Sequence, residues 1–329
     1  MIRSVRPALL LLLLGACLAG DALAARTISA QARTHVLIVV GLGGTPEYRE
    51  TFHDQARTLK TALVEEHGVR AEDVVYLGER VETDPDVIDD RATRDALLGT
   101  LSRLAGEAGP SDRVLVVLIG HGTSGSGGQS FNIPGPDVAP PEFASALDAF
   151  PSQTVAFVHT GSGSGAFLEP LAGPNRIVIT ATRSGRELNA TRFAEHFVSA
   201  FAGTGADIDR DGSISLEEAF TYARDEVARH YESENQILTE NAVLQDGGEG
   251  LAGRFAFGGR GAATDVPTTD DPALARLYEE RGAIQVRIDE LRTLSGSMEE
   301  ALYLERMEEL LVELALKNRE IRAAGSGGR

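Results

Sequence analysis

The chain has 329 residues, with 31 basic against 49 acidic side chains, a formal net charge of −18, one cysteine and no tryptophan. A charge of that sign and size repels nucleic acid and anionic lipid surfaces and favours cations as ligands. One cysteine excludes an internal disulfide framework, so a buried core must hold the fold, and a chain of this length can supply one.

Arg3 and Arg6 precede an apolar run from Ala8 to Leu18, and Ala22 and Ala24 supply small residues for cleavage. That pattern reads as a secretory signal peptide over residues 1–24, sending the mature chain to the periplasm or the medium. The run is well short of the roughly 20 apolar residues that cross a bilayer, so no transmembrane span is expected. Leu14, Gly15, Ala16 and Cys17 also fit a lipobox, under which Cys17 would carry a lipid anchor. Cleavage after Ala24 removes Arg3, Arg6 and Asp21, brings the net charge to −19 and takes the only cysteine with it.

From residue 35, apolar runs of strand length alternate with stretches of helical spacing, the pattern of an α/β fold with a mostly parallel sheet flanked by helices. Strands are expected at 35–41, 73–78, 114–120, 154–159 and 176–182, and helices around 47–66, 91–105, 141–149 and 190–202. This domain runs to about residue 262.

Within it, DIDRDGSISLEE at 207–218 fits the calcium loop of an EF-hand at every required position. Asp207, Asp209 and Asp211 stand at positions one, three and five, where alternate carboxylates converge on one hard cation, and Gly212 allows the sharp turn at six. Ser213 offers its backbone carbonyl, Ser215 stands at the position that commonly works through water, and Glu218 closes the shell with two oxygens. Helical stretches flank the loop on both sides, and no second such loop occurs in the chain. EF-hand sensors work in pairs. A lone copy in an exported protein is therefore expected to bind Ca²⁺ at extracellular strength, on the order of 10⁻⁴ to 10⁻³ M.

Residues 263–271 form a polar linker that ends in TDDP. Beyond it, Leu277, Ile284, Ile288 and Leu291 make one apolar stripe and Leu304, Met307, Leu311, Leu314 and Ile321 another. With a break at 294–297, these predict a helical hairpin over 272–323, followed by a disordered tail at 324–329.

Three short motifs close expected strands: GLGGTPEYRE after the first, HG at His121 and Gly122, and GSGSG from Gly161 to Gly165. In this register the body, over about residues 34–246, resembles the caspase-like fold, and within it the legumain-type cysteine peptidases. The resemblance implies that His121 is the family histidine and that Arg49 lines the pocket for the substrate residue before the scissile bond. Ser162 stands where the nucleophilic cysteine belongs, Thr160 where legumains carry a pocket glutamate, and Gly43 where they carry an asparagine that orients the histidine.

A serine hydroxyl is not ionised near neutral pH as a thiol partly is, and so depends wholly on an oriented base. No aspartate or asparagine adjoins His121, and His159 is the alternative base. Neither Ser162 nor Ser164 has glycines two positions to either side, which excludes the esterase elbow. Pro46 occupies the third glycine position of a dinucleotide fingerprint, which leaves nucleotide binding unsupported. The expectation is an exported calcium-binding pseudopeptidase that acts as a binding or assembly module for a peptide or protein partner. The alternative is a serine-dependent hydrolase using Ser162 and His121.

Overall fold

The computed structural model describes residues 32–125, 128–203, 205–248, 250–258, 272–293, 298 and 300–326. The signal segment with Cys17, the linker 263–271 and the break at 294–297 lie outside the described residues.

Strand β1 (Thr34–Val40) is buried from residue 35 onward, as a strand covered on both faces must be. Helix α1 (Pro46–Thr61) follows it. Thr45 caps that helix by accepting from the Tyr48 N–H, and Pro46 sits at its first position, where no N–H is needed. Next come β2 (Val74–Gly78), the two-residue β3 (Asp90–Arg91), α2 (Arg94–Glu107) and β4 (Arg113–Ile119). A small hairpin of β5 (Gly122–Gly125) and β6 (Gly128–Phe131) leads to α3 (Pro140–Leu147), β7 (Thr154–His159), α4 (Leu168–Leu171) and β8 (Arg176–Thr180). Helices α5 (Phe193–Ala202) and α6 (Leu216–Ser233) bracket β9 (Ser213–Ser215). The body ends with β10 (Val243–Gln245), α7 (Leu251–Arg254) and β11 (Ala256–Gly258).

The principal sheet has seven strands in the order β10-β8-β7-β4-β1-β2-β3. All its pairs are parallel except β10 with β8. The molecule is thus an α/β protein with a mostly parallel sheet flanked by helices. Alternation along β1 and β4 divides two cores. Val36, Ile38, Val40, Leu115, Val117 and Ile119 pack with α1, α5 and α6, while Leu37, Val39, Val114, Val116 and Leu118 pack with α2, α3 and α4.

Helices α8 (Pro272–Thr293) and α9 (Glu300–Ser326) pair with each other, and Ile284, Ile288, Leu291, Leu310 and Leu314 form a cluster of their own. Two expectations shift here. Helix α9 runs to Ser326, past the expected end at 323, and Leu304 is 57% exposed while Leu310 joins the cluster. At 100° per residue Leu304 is rotated off the stripe that holds Leu310 and Leu314. No helix among the described residues is long and apolar enough to cross a membrane.

Candidate functional site

The connection after β1 crosses one face of the sheet through α1, while that after β4 crosses the other through α3. The loops therefore part between these neighbouring strands, and open parallel sheets place their ligand crevice outside the carboxyl ends of strands at such a reversal. Register aligns the ends: Val40 lies opposite Ile119 and Leu118 opposite His159. His121 and Ser162 consequently emerge from adjacent strands at the same edge.

The His121 ring stands edge-on to Tyr48 and Phe52 of α1, with centroids 4.7 Å and 5.0 Å away. Burial lowers its pKa, partly offset by a hydrogen bond to the Gly43 backbone, so the imidazole is neutral at pH 7. Ser162 is 5% exposed, and its hydroxyl donates to the Gly122 carbonyl at 3.3 Å. Among the described residues no hydrogen bond joins His121 to Ser162.

Arg49 is held by Glu79, its Nε donating to Oε1 at 3.0 Å, while Glu79 Oε2 accepts the Gly43 N–H at 3.0 Å. The Thr160 hydroxyl donates to the Leu118 carbonyl at 2.9 Å, and its own carbonyl accepts from the Thr191 hydroxyl at 2.6 Å. The Thr160 N–H also donates to the Leu118 carbonyl at 3.0 Å, so all three polar groups of Thr160 are spent on the framework. His159 is fully buried against Phe131 and Phe167, and burial alone lowers its pKa to about 3. Its Nδ1 accepts the Gly161 N–H at 3.1 Å, which makes it a structural imidazole.

The glycines serve close backbone approach. A Cβ on Gly161 would lie 2.0 Å from the Gly120 carbonyl oxygen, and one on Gly43 would lie 2.5 Å from the Arg49 nitrogen. The second contact explains why a side chain is missing at Gly43: α1 begins too near the loop to admit one. Glu79 escaped the reading of the sequence. Its signal was its place directly after β2, at the same sheet edge as Gly43.

The acidic loop lies between α5 and α6. One carboxylate oxygen from each of Asp207, Asp209 and Asp211 lies within 4.8 Å of the others. Gly212 adopts φ +86°, and its N–H donates to Asp207 Oδ2 at 3.0 Å. The other Asp207 oxygen is buried with no hydrogen-bond partner. Burial raises the Asp207 pKa, and the charges of Asp211 and Glu218 raise it further. Glu218 reaches back across the loop, with Oε1 accepting the Ile208 N–H at 3.0 Å and Oε2 accepting the Ser215 N–H at 2.9 Å. The Ser215 hydroxyl completes a capping box at the start of α6, accepting the Glu218 N–H at 3.1 Å. Ser213 to Ser215 pair antiparallel with Gly258 to Ala256, placing Ile214 opposite Phe257.

The two sites differ in what they leave unpaired. The crevice offers a neutral imidazole and an already bonded hydroxyl. The loop offers convergent carboxylate oxygens and a buried Asp207 oxygen without a hydrogen-bond partner, a donor set that fits a hard divalent cation. Comparison with models of known families finds none that matches this chain, and comparison with curated proteins finds no relative.

Proposed function

We propose that the chain is an exported calcium-binding protein on a legumain-like, caspase-like scaffold, whose crevice binds a peptide or protein segment without cleaving it. The observation that carries this reading is the buried, unpartnered oxygen of Asp207 inside a ring of like charge. Burial and the like charges beside it disfavour the anion until a cation or proton reaches it. Asp207, Asp209, Asp211 and Glu218 would hold the ion, with the Ser213 carbonyl and a water beside Ser215 completing the shell. Bound calcium supplies charge neutralisation and ties the start of α6 to the end of α5. The short strand of the loop pairs with β11, so the loop has a partner strand without a second EF-hand.

Absence of catalysis is supported by Ser162 itself, whose hydroxyl donates to a carbonyl rather than to an imidazole. An alternative reading, a serine-dependent hydrolase, draws on the placement of His121 and Ser162 at neighbouring strand ends. The test has two arms. Calcium should raise the melting temperature of the mature chain, and Glu218→Ala should remove most of the rise; equal melting curves in calcium and in chelator would contradict the calcium reading. A fluorophosphonate should leave wild type unlabelled. Labelling that Ser162→Ala abolishes would establish the hydrolase instead.

A further inference from the structure

We infer that the outward face of α9 is a self-association surface, on which a second copy of this chain docks its own α9 antiparallel. Helix α9 carries two apolar faces. On one, Leu310 and Leu314 are buried in the cluster shared with α8, and Ile321 is buried on the same side. At about 100° per residue, Leu302, Val312 and Leu316 fall within roughly 80° of one another on the opposite side of the helix. All three are between 39% and 54% exposed. Among the described residues, four of the nine large exposed hydrophobics lie on this one helix, so the exposure is gathered rather than scattered singly as on an ordinary surface.

The charges beside the two faces say what covers the second. Next to the packed face, Glu313 holds Arg287 at 2.9 Å and Lys317 holds Glu280 at 2.8 Å, both inside the hairpin. On the outward face Glu305 and Arg319 are exposed, and among the described residues neither has an ion-pair partner. Glu305 stands seven residues before Val312 and Arg319 seven residues after it. Each therefore lies about 10 Å along the axis from Val312, on the same side of the helix. Two α9 helices that meet antiparallel on a twofold axis at Val312 set Glu305 of each copy against Arg319 of the other, twice over, as an isologous contact requires. Glu309, one turn from Glu305 on the same face, adds to the attraction for that arginine. A parallel pairing would set Glu305 against Glu305 and Arg319 against Arg319, and like charges reject it. The net charge of the chain opposes association at long range, and salt screens that repulsion beyond about 8 Å, so the dimer is expected at physiological ionic strength. The inference goes beyond the proposed function and rests on neither its calcium half nor its crevice half.

The test is sedimentation equilibrium of the mature full chain at fixed calcium and physiological salt. Wild type is expected to form a dimer with rising concentration below roughly 10⁻⁴ M. Val312→Glu should leave it monomeric, whereas Leu304→Glu, at an equally exposed leucine off this face, should leave the dimer intact. Glu305→Arg and Arg319→Glu should each weaken association roughly tenfold, because each turns two attractions into two repulsions. The double variant Glu305→Arg with Arg319→Glu restores opposite charges and should return the dissociation constant to within about threefold of wild type. Every substituted side chain is exposed, so an unchanged melting temperature of the monomer serves as the check that each variant is folded. A wild type that stays monomeric throughout, leaving the face to some other partner, would overturn the inference. So would a dimer unaffected by Val312→Glu, or a double variant as weak as the single ones.

Discussion

The crevice and the acidic loop are built from similar materials, glycines, serines and carboxylates at turns, yet they differ in the charge they gather. In the crevice Ser162 is answered by Gly122, Thr160 by Leu118 and Arg49 by Glu79, while His159 Nε2 is buried without a partner. In the loop, three carboxylates converge and a buried Asp207 oxygen has no partner. The difference teaches that a motif is a stronger sign of a ligand when folding leaves its charges unsatisfied than when folding consumes them. Close backbone approach at Gly161 and Gly43 packs the crevice tightly. In the loop Glu218, Asp209 and Asp211 accept loop N–H groups, and the buried Asp207 oxygen is left without one.

That contrast can be broken most forcefully at the packing of the crevice. Gly161→Ala would drive a methyl group into the Gly120 carbonyl. It is expected to cost about 3 kcal/mol in denaturant unfolding, at the upper end of overpacking effects. A cost near zero would mean that these strand ends are loose.

The loop gives the next effect. At a hundredfold excess of calcium over its dissociation constant, mass action predicts about 2.7 kcal/mol of added stability. Glu218→Ala should remove most of it, whereas Ser162→Ala should leave it intact, as thermal unfolding of both variants would reveal.

His159 separates the two regions by pH. Burial takes its folded pKa to about 3, below the ordinary imidazole value of 6.5, so the unfolded chain binds the proton first as pH falls. The contribution of the neutral, buried ring is complete above pH 6.5 and is lost progressively toward pH 3. At pH 5 the loss amounts to about 2 kcal/mol, and His159→Leu should flatten the stability profile by that amount between pH 6.5 and 5. An unchanged profile would show that the ring is hydrated.

The smallest effect belongs to Ser162. Replacing it by alanine removes one long hydrogen bond, so stability should fall by about 1 kcal/mol or less. Activity toward a fluorogenic peptide library should stay at the baseline shown by wild type. A wild-type signal that vanishes in Ser162→Ala would erase the functional contrast between the regions.

The main strands were legible because each is a continuous apolar run, which only burial on both faces explains: the expected 114–120 and 154–159 appear as β4 and β7. Strand β10 pairs at the sheet edge with partly exposed residues, and β3 is two residues long, so neither carries enough apolar periodicity to be seen. The loop at 207–218 was readable because its ligands are local, set at alternate positions of one segment. The crevice was readable only in part. His121 and Ser162 follow strand ends, but Glu79 meets Gly43 through pairing of β1 with β2, a contact between segments that no local spacing encodes. Thr160 shows the converse: its position drew notice, while the fold turned its hydroxyl toward the neighbouring strand.

The most direct test of the account is a calcium titration of the chelator-treated mature chain, followed by the amide signals of Gly212 and Ile214. The account predicts saturable shifts confined to the loop and its flanking helices, with a dissociation constant on the order of 10⁻⁴ to 10⁻³ M, lost in Glu218→Ala. Signals that do not move with calcium, or that move equally in Glu218→Ala, would contradict it.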